Sequence, residues 1–172
     1  EIIAAASGTA YTGETGSTST ALPSAQKITE SGTDGLTIAK LRTAKETLDN
    51  SNVDPSIARH LVLGPRQVTD LLGTTEVTSS DYNTIKALAN GEINSFLGFS
   101  FIVSTRLDLT SSKRLCLAFA SDGMKLALGQ DIMTRIDERS DKGYSTQVYV
   151  CQSIGATRME EEKMVTIQAH EA

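Results

Sequence analysis

The apolar residues of this chain change their spacing part-way along the sequence, from the period of a helix to the period of a strand. Between Ile38 and Leu48 they recur at steps of three and four residues, which predicts an amphipathic helix over residues 37–50. From Gly98 onwards, β-branched and aromatic residues form short strand-like runs. Helices grouped early and strands grouped late predict an α+β fold.

Capping and turn residues mark the ends of three predicted helices. Thr37 supplies a side-chain cap for the amphipathic helix. Pro65 opens a second, short helix that Gly73 ends. Asp81 caps a third helix, and Gly91 stands at its C-terminal end.

Strands are predicted mainly in the late half of the chain. A long hairpin is expected there, because two alternating runs flank the turn-forming sequence Ser-Asp-Lys-Gly at residues 140–143. The strand-like runs are HLVLG (60–64), GFSFIVSTRLDL (98–109), RLCLAFA (114–120), IMTRIDER (132–139), YSTQVYVCQSIGATRM (144–159) and MVTIQA (164–169).

Residues 1–35 are rich in Gly, Ser, Thr and Ala and have few apolar anchors. Such a segment buries too little apolar surface to order itself alone, so it is an extended arm that lies against another part of the structure, or a flexible linker. The anchors Leu22 and Ile28 favour the docked arm.

Length, hydropathy and charge exclude several classes of protein. A chain of 172 residues is long enough for one domain with its own core. No apolar run approaches the roughly 18 residues of a membrane span, so a transmembrane protein is excluded. The formal net charge of −5 argues against a protein that neutralises many phosphates of a nucleic acid.

Cysteines and histidines show no metal-ligand pattern. Cys116 and Cys151 are far apart in sequence, and neither His60 nor His170 has a partner at the spacing of a zinc site. Both cysteines have apolar neighbours, which predicts buried thiols in a reducing compartment. We therefore expect no metal ion.

Catalytic patterns are also weak. No serine lies in a Gly-x-Ser-x-Gly motif, no phosphate-binding loop is present, and the carboxylates Asp137, Glu138 and Asp141 fit a solvated hairpin end. We therefore predict that the protein is not an enzyme and uses no cofactor. A serine hydrolase stays open as an alternative, and it would require a hydroxyl nucleophile beside His60.

An ordered set of packing and turn motifs resembles the major capsid proteins of tailed bacteriophages. Asp81-Tyr82-Asn83 leads to Gly91 and then to Leu97-Gly98-Phe99, and Gly155-Ala156-Thr157-Arg158 follows later in the chain. The likeness extends over about residues 28–168. It implies the Hong Kong 97-type capsid fold, which encapsulin shells share.

The resemblance also implies a division of the chain. Residues 36–55 and 128–172 would form the peripheral (P) domain, in which a spine helix lies over long strands. Residues 56–127 would form the axial (A) domain, with a central sheet and short helices. Residues 1–35 would follow the E-loop, a hairpin that clasps a neighbouring subunit. The resemblance further implies that the N-terminal arm and most of that loop are missing from this sequence, so the chain by itself would stay monomeric.

The implied function is structural. The protein would be a phage or prophage major capsid subunit that assembles in the bacterial cytoplasm and resides in the virion capsid. Copies would form pentamers and hexamers of an icosahedral shell around the genome. Scaffolding, portal and decoration proteins are the expected further partners, and packaged DNA would be contacted only weakly. An encapsulin-like shell or another virion structural protein remains the alternative.

Two segments are candidate subunit interfaces under this resemblance. The A-domain loop over residues 74–80 is expected to face a local symmetry axis, and the hairpin tip over residues 140–143 is expected near a three-subunit junction. The candidate residues are Thr74, Thr75, Glu76, Ser79, Ser80, Ser140, Asp141, Lys142 and Gly143.

Overall fold

The computed structural model describes residues 8–12, 16–29, 32–73 and 95–171. The predicted helix over residues 81–91 lies outside these ranges. The described strands are β1 (Ala10–Thr12), β2 (Thr18–Thr20), β3 (Lys27–Ile28), β4 (Arg59–Leu63), β5 (Ser95–Phe96), β6 (Phe99–Val103), β7 (Leu109–Thr110), β8 (Lys113–Ala120), β9 (Met124–Arg139), β10 (Ser145–Arg158) and β11 (Met164–His170), and the helices are α1 (Ile38–Asn50) and α2 (Pro65–Leu72).

Helix α1 forms where its apolar period predicts. The hydroxyl of Thr37 accepts a hydrogen bond from the backbone N–H of Lys40 at 3.4 Å, which caps the first turn. The side chains that recur on one face are buried, and the helix contacts β11 and β3. Helix α2 begins at Pro65 and ends before Gly73, so both predicted helices in the described ranges are confirmed.

Seven strands form one mixed sheet in the order β3-β11-β8-β4-β6-β5, with β7 paired to the edge of β8. The pairs β11–β3 and β4–β6 are parallel, whereas β11–β8 and β4–β8 are antiparallel. Strand β11 therefore lies inside the sheet, between β3 and β8. The resemblance assigns β11 to the P domain (residues 128–172) and β8 to the A domain (residues 56–127). In the structure these two strands pair directly.

Both faces of this sheet are covered. Cys116 and Ala118 of β8 point into a core shared with α1, and Leu117 and Phe119 point into a second core on the opposite face. Leu22 is buried in that second core. The early segment is thus docked at Leu22, which confirms the docked alternative for the described part of residues 1–35.

Glu171 joins three distant parts of the chain. Its carboxylate accepts hydrogen bonds from Nε and Nη2 of Arg114 at 2.7 and 2.9 Å, and from Nε2 of the buried Gln67 at 3.2 Å. These hydrogen bonds, those from Arg114 first, lower the pKa of Glu171 to about 2. The cluster ties α2 and β8 to the residue that follows β11.

Leu48→Ala should lower the free energy of unfolding by about 3 kcal/mol, because Leu48 is fully buried and its loss leaves a cavity under α1. Chemical denaturation measures this change. Arg42→Ala, on the exposed face of the same helix, is the control and should change stability by less than about 0.5 kcal/mol. Equal effects of the two variants would contradict the packing of α1 described here.

Glu171→Gln should lower the free energy of unfolding at pH 7 by about 2 kcal/mol, since it removes the charge that Arg114 binds. A carboxyl group whose pKa is lowered in the folded state stabilises the protein above its unfolded pKa, and that contribution is lost as the pH falls from about 4.5 to about 2. The difference between wild type and variant should therefore shrink over this range. Glu162→Gln, at an exposed position, is the control and should change the free energy of unfolding at pH 7 by less than about 0.5 kcal/mol.

Candidate subunit interface

Strands β9 and β10 form a two-stranded antiparallel ribbon that is separate from the mixed sheet. We call residues Met124–Arg158 the ribbon. Its 16-residue first strand spans about 50 Å at the usual rise per residue. Nearly all of its side chains are exposed, so the ribbon projects from the body of the protein. The long hairpin predicted from the alternating runs is confirmed.

Charged residues fix the base of the ribbon. Arg158 is buried, and its Nη1 and Nη2 atoms donate hydrogen bonds to the carbonyls of Gly8 at 2.9 Å and Thr20 at 3.0 Å. At the start of the other strand, β9, the ammonium group of Lys163 forms an ion pair at 2.6 Å with Asp122, two residues before the strand begins. The base is therefore held both to the early hairpin β1–β2 and to the turn that enters the ribbon.

Gly123 allows the chain to approach itself closely at this base. Its N–H bonds to the carbonyl of Ala120, and its own carbonyl accepts a hydrogen bond from Met159 at 2.9 Å. A Cβ atom at Gly123 would lie 2.8 Å from the Cβ of Lys163, which is closer than real contacts allow. A glycine is thus required where the two strands leave the body.

The tip of the ribbon is a tight turn with two consecutive left-handed residues. Gly143 has a φ of 62° and Tyr144 has a φ of 60°, and the N–H of Tyr144 bonds to the carbonyl of Arg139 at 3.0 Å. Arg139 Nε donates to Asp141 at 2.9 Å, and this hydrogen bond holds the pKa of Asp141 below its ordinary value. The left-handed Tyr144 is exposed and strained, since only glycine adopts this backbone without a steric penalty.

Four of the candidate interface residues come together at this tip. Ser140, Asp141, Lys142 and Gly143 are all exposed at the far end of the ribbon. Their contact with other subunits stays a prediction. The other five candidates, Thr74, Thr75, Glu76, Ser79 and Ser80, lie outside the described residues.

Sequence reasoning missed two parts of this site. The strained conformation of Tyr144 was not foreseen, although the preceding Ser-Asp-Lys-Gly turn was. The resemblance places Arg158 in a packing motif, and the sequence gives no signal that its guanidinium binds carbonyls about 140 and 150 residues away.

His60 and the carboxylates considered for catalysis lie on different elements, His60 in β4 and the carboxylates at the end of the ribbon. The ring of His60 packs 5.6 Å from the ring of Phe119, and within the described ranges it has no hydrogen bond to a hydroxyl group. Burial raises the pKa of the Cys116 thiol to about 12, as expected for a structural cysteine. Asp137, Glu138 and Asp141 are exposed at the end of the ribbon.

Among the described residues, no group of three or more His, Cys, Asp or Glu side chains is arranged to hold a metal ion. No helix in these ranges has the length and apolar character needed to cross a membrane.

A family model described as phage capsid protein matches residues 1–171. The chain belongs to this phage capsid protein family. Membership in the family indicates a structural protein of the virion capsid. No curated protein sequence matches the chain.

Solved structures share its fold at low sequence identity. A chain of Mycobacterium phage Che8 is 18% identical over 83% of this chain and 52% of its own, with a TM-score of 0.66. The capsid structure of cyanophage P-SCSP1u is 17% identical over 99% of this chain and 60% of its own, also at 0.66. The holo-SrpI encapsulin complex of Synechococcus elongatus is 9% identical over 87% and 55% of the two chains, at 0.57.

These matches confirm the predicted α+β fold of the Hong Kong 97 type. The family match favours a phage capsid protein over an encapsulin. The phage capsid chain spans only about half to three fifths of the length of these solved structures.

Gly143→Ala should destabilise the ribbon tip by about 1 kcal/mol, because a Cβ at positive φ strains the backbone although the space around it is open. Hydrogen exchange of the amides from Arg139 to Ser145 measures local opening of the tip. Gly155→Ala is a matched control, since that glycine also has open space but no left-handed backbone. Faster exchange in both variants, or in neither, would contradict the turn geometry.

Proposed function

We propose that this protein is the major capsid subunit of a phage or prophage, and that copies of it form the pentamers and hexamers of an icosahedral shell around the genome. The observation that carries the proposal is the phage capsid family match over residues 1–171. The fold and the projecting ribbon support it, since the ribbon extends well beyond the protein's own core.

The mechanism is geometric. Head-to-tail contacts between identical subunits close into rings, and closed rings and shells are stable even when each contact is modest. A rigid body with an ordered projection suits this task, because its contacts to neighbours are set by shape. Fixing both strands of the ribbon at Arg158 and Gly123 gives the projection a defined direction.

We further propose the domain division that the resemblance implies. Residues 36–55 and 128–172 would form the P domain, which would include α1 as the spine helix, most of the ribbon and β11, and residues 56–127 would form the A domain. Of the strands assigned to the P domain, β11 is the one that α1 packs against. Pairing of β11 with β8 supports a firm junction between the two, because a shared sheet would resist hinge motion. The ribbon tip would then be the distal end of the P domain.

The proposal includes the setting of assembly. The subunits would assemble in the bacterial cytoplasm, guided by scaffolding and portal proteins and later bound by decoration proteins. An acidic formal charge of −5 fits an inner wall to which packaged DNA binds only weakly. The loop over residues 74–80 would face the local symmetry axis.

Lys142→Glu should impair shell formation while leaving the subunit folded, because Lys142 is exposed at the tip proposed to meet two neighbours. The variant is made in the protein expressed from its complete gene, and particles are counted by negative-stain electron microscopy. Circular dichroism of the dissociated subunit checks the fold.

Lys142→Arg keeps the charge and is the control. Particles of normal number and shape should form with this variant. Normal particles with Lys142→Glu as well would refute the placement of the tip at a subunit junction.

A further inference from the structure

Two small sheets lie outside the mixed sheet, the early hairpin β1–β2 and the ribbon, and no ladder joins them to it or to each other. Each strand of the early hairpin has three residues, and among its described side chains only Ala10 is buried. A two-stranded hairpin on its own is only marginally stable in water. The early hairpin therefore depends on contacts with other parts of the chain to stay closed.

One side chain of the ribbon reaches both strands of the early hairpin. Arg158, the last residue of β10, donates one hydrogen bond to the carbonyl of Gly8 and another to the carbonyl of Thr20. Thr20 pairs with Ala10, and Gly8 lies two residues before Ala10, so the two carbonyls lie at the open end of the hairpin, one on each strand. A guanidinium presents its N–H groups in a rigid, planar fork. Both hydrogen bonds therefore form together only while the two strands keep their paired separation.

The backbone of the same residue belongs to the base of the ribbon. Arg158 pairs with Met124, the first residue of β9, and the next N–H, that of Met159, donates to the carbonyl of Gly123 at 2.9 Å. The side chain of Arg158 has no exposed surface, so its position is set by packing against its surroundings. A shift of the early hairpin or of the ribbon base therefore changes the same two hydrogen bonds.

A second connection between the two small sheets runs through the apolar core. Leu22, two residues after β2, and Met124 belong to the same buried cluster on one face of the mixed sheet. This packing holds both segments to the body. It remains in a variant that lacks the guanidinium, so a substitution at Arg158 separates the two connections.

We propose that Arg158 couples the early hairpin to the base of the ribbon, so that the two open and close as one conformational unit. Opening of the hairpin removes the acceptors of Arg158 and loosens the ribbon base. Opening of the ribbon base withdraws the guanidinium from both hairpin carbonyls. The coupling is reciprocal, because it is one free energy shared by two sites. It belongs to the single subunit, so it does not depend on the proposed shell.

Gly16→Ala weakens the early hairpin without changing Arg158. Gly16 lies two residues before β2 and has a φ of 63°, so a Cβ there strains the backbone although its nearest neighbour, the Cβ of Tyr11, is 3.8 Å away. In dissociated subunits of the protein expressed from its complete gene, this variant should speed hydrogen exchange of the hairpin amides about fivefold at short labelling times.

The coupling predicts a second effect of Gly16→Ala, at the ribbon base. The amides of residues 156–159 should exchange at least about threefold faster, whereas those of the distant tip, residues 139–145, should keep their rates. Gly98→Ala is the matched control, since Gly98 also has a left-handed backbone with open space but lies between β5 and β6. This control should leave both the hairpin and the ribbon base unchanged.

Arg158→Lys tests whether the guanidinium carries the coupling. Lysine keeps the positive charge but lacks the fork that reaches two carbonyls at once. In this background, Gly16→Ala should still speed exchange in the hairpin but should change the rates at the ribbon base by less than about 1.5-fold. A ribbon base that responds equally with and without Arg158 would overturn the proposal, and so would a base that does not respond in the wild-type background.

Thr157→Gly tests the reverse direction and keeps Arg158, so it decides the matter even where Arg158→Lys fails to fold by circular dichroism. Thr157 pairs with Lys125 at the ribbon base, and a glycine in a strand weakens it. Reciprocity predicts that the hairpin amides exchange at least about threefold faster in this variant. Thr146→Gly, which weakens the same strand near the tip, should leave the hairpin unchanged. Unchanged hairpin amides in Thr157→Gly, or equal acceleration by both variants, would overturn the coupling.

Discussion

Burial of the mixed sheet on both faces is the constraint on which the rest of the structure depends. Strand β8 has apolar side chains on both sides, so it needs a cover above and below. Helix α1 supplies one cover. The segment around Leu22 supplies part of the other, which is why a stretch with so few apolar residues is ordered at all.

The ribbon depends on that body for its direction. Its own strands bury little, so its position comes from the base, where Arg158 binds two carbonyls and Lys163 binds Asp122. Removal of the buried guanidinium would break the hydrogen bonds that tie the ribbon to the carbonyls of Gly8 and Thr20. Charged groups at the base thus position the ribbon, whereas apolar packing positions the strands of the mixed sheet.

Local rules made much of this fold predictable from the sequence. Helix α1, the short helix after Pro65 and the long hairpin each follow from spacing, caps or turn residues that act within a few positions. The strand order of the sheet could not be predicted by such local rules. Strand β11 lies between β3 and β8, and its partner β3 is more than a hundred residues away in the sequence. The candidate tip was located, whereas the strained Tyr144 beside it was not, because a bulky residue in that conformation contradicts its own preference.

The place of β11 in the sheet has a consequence for synthesis on the ribosome. Strand β3 pairs only with β11 among the described strands, and β8 has β11 on one of its sides. The sheet of a nascent chain therefore lacks the strand between β3 and β8 until β11 emerges, although the ribbon has already been made. Emergence of β11 is thus the step that completes the sheet, and a product truncated before β11 would carry a ribbon on an incomplete body.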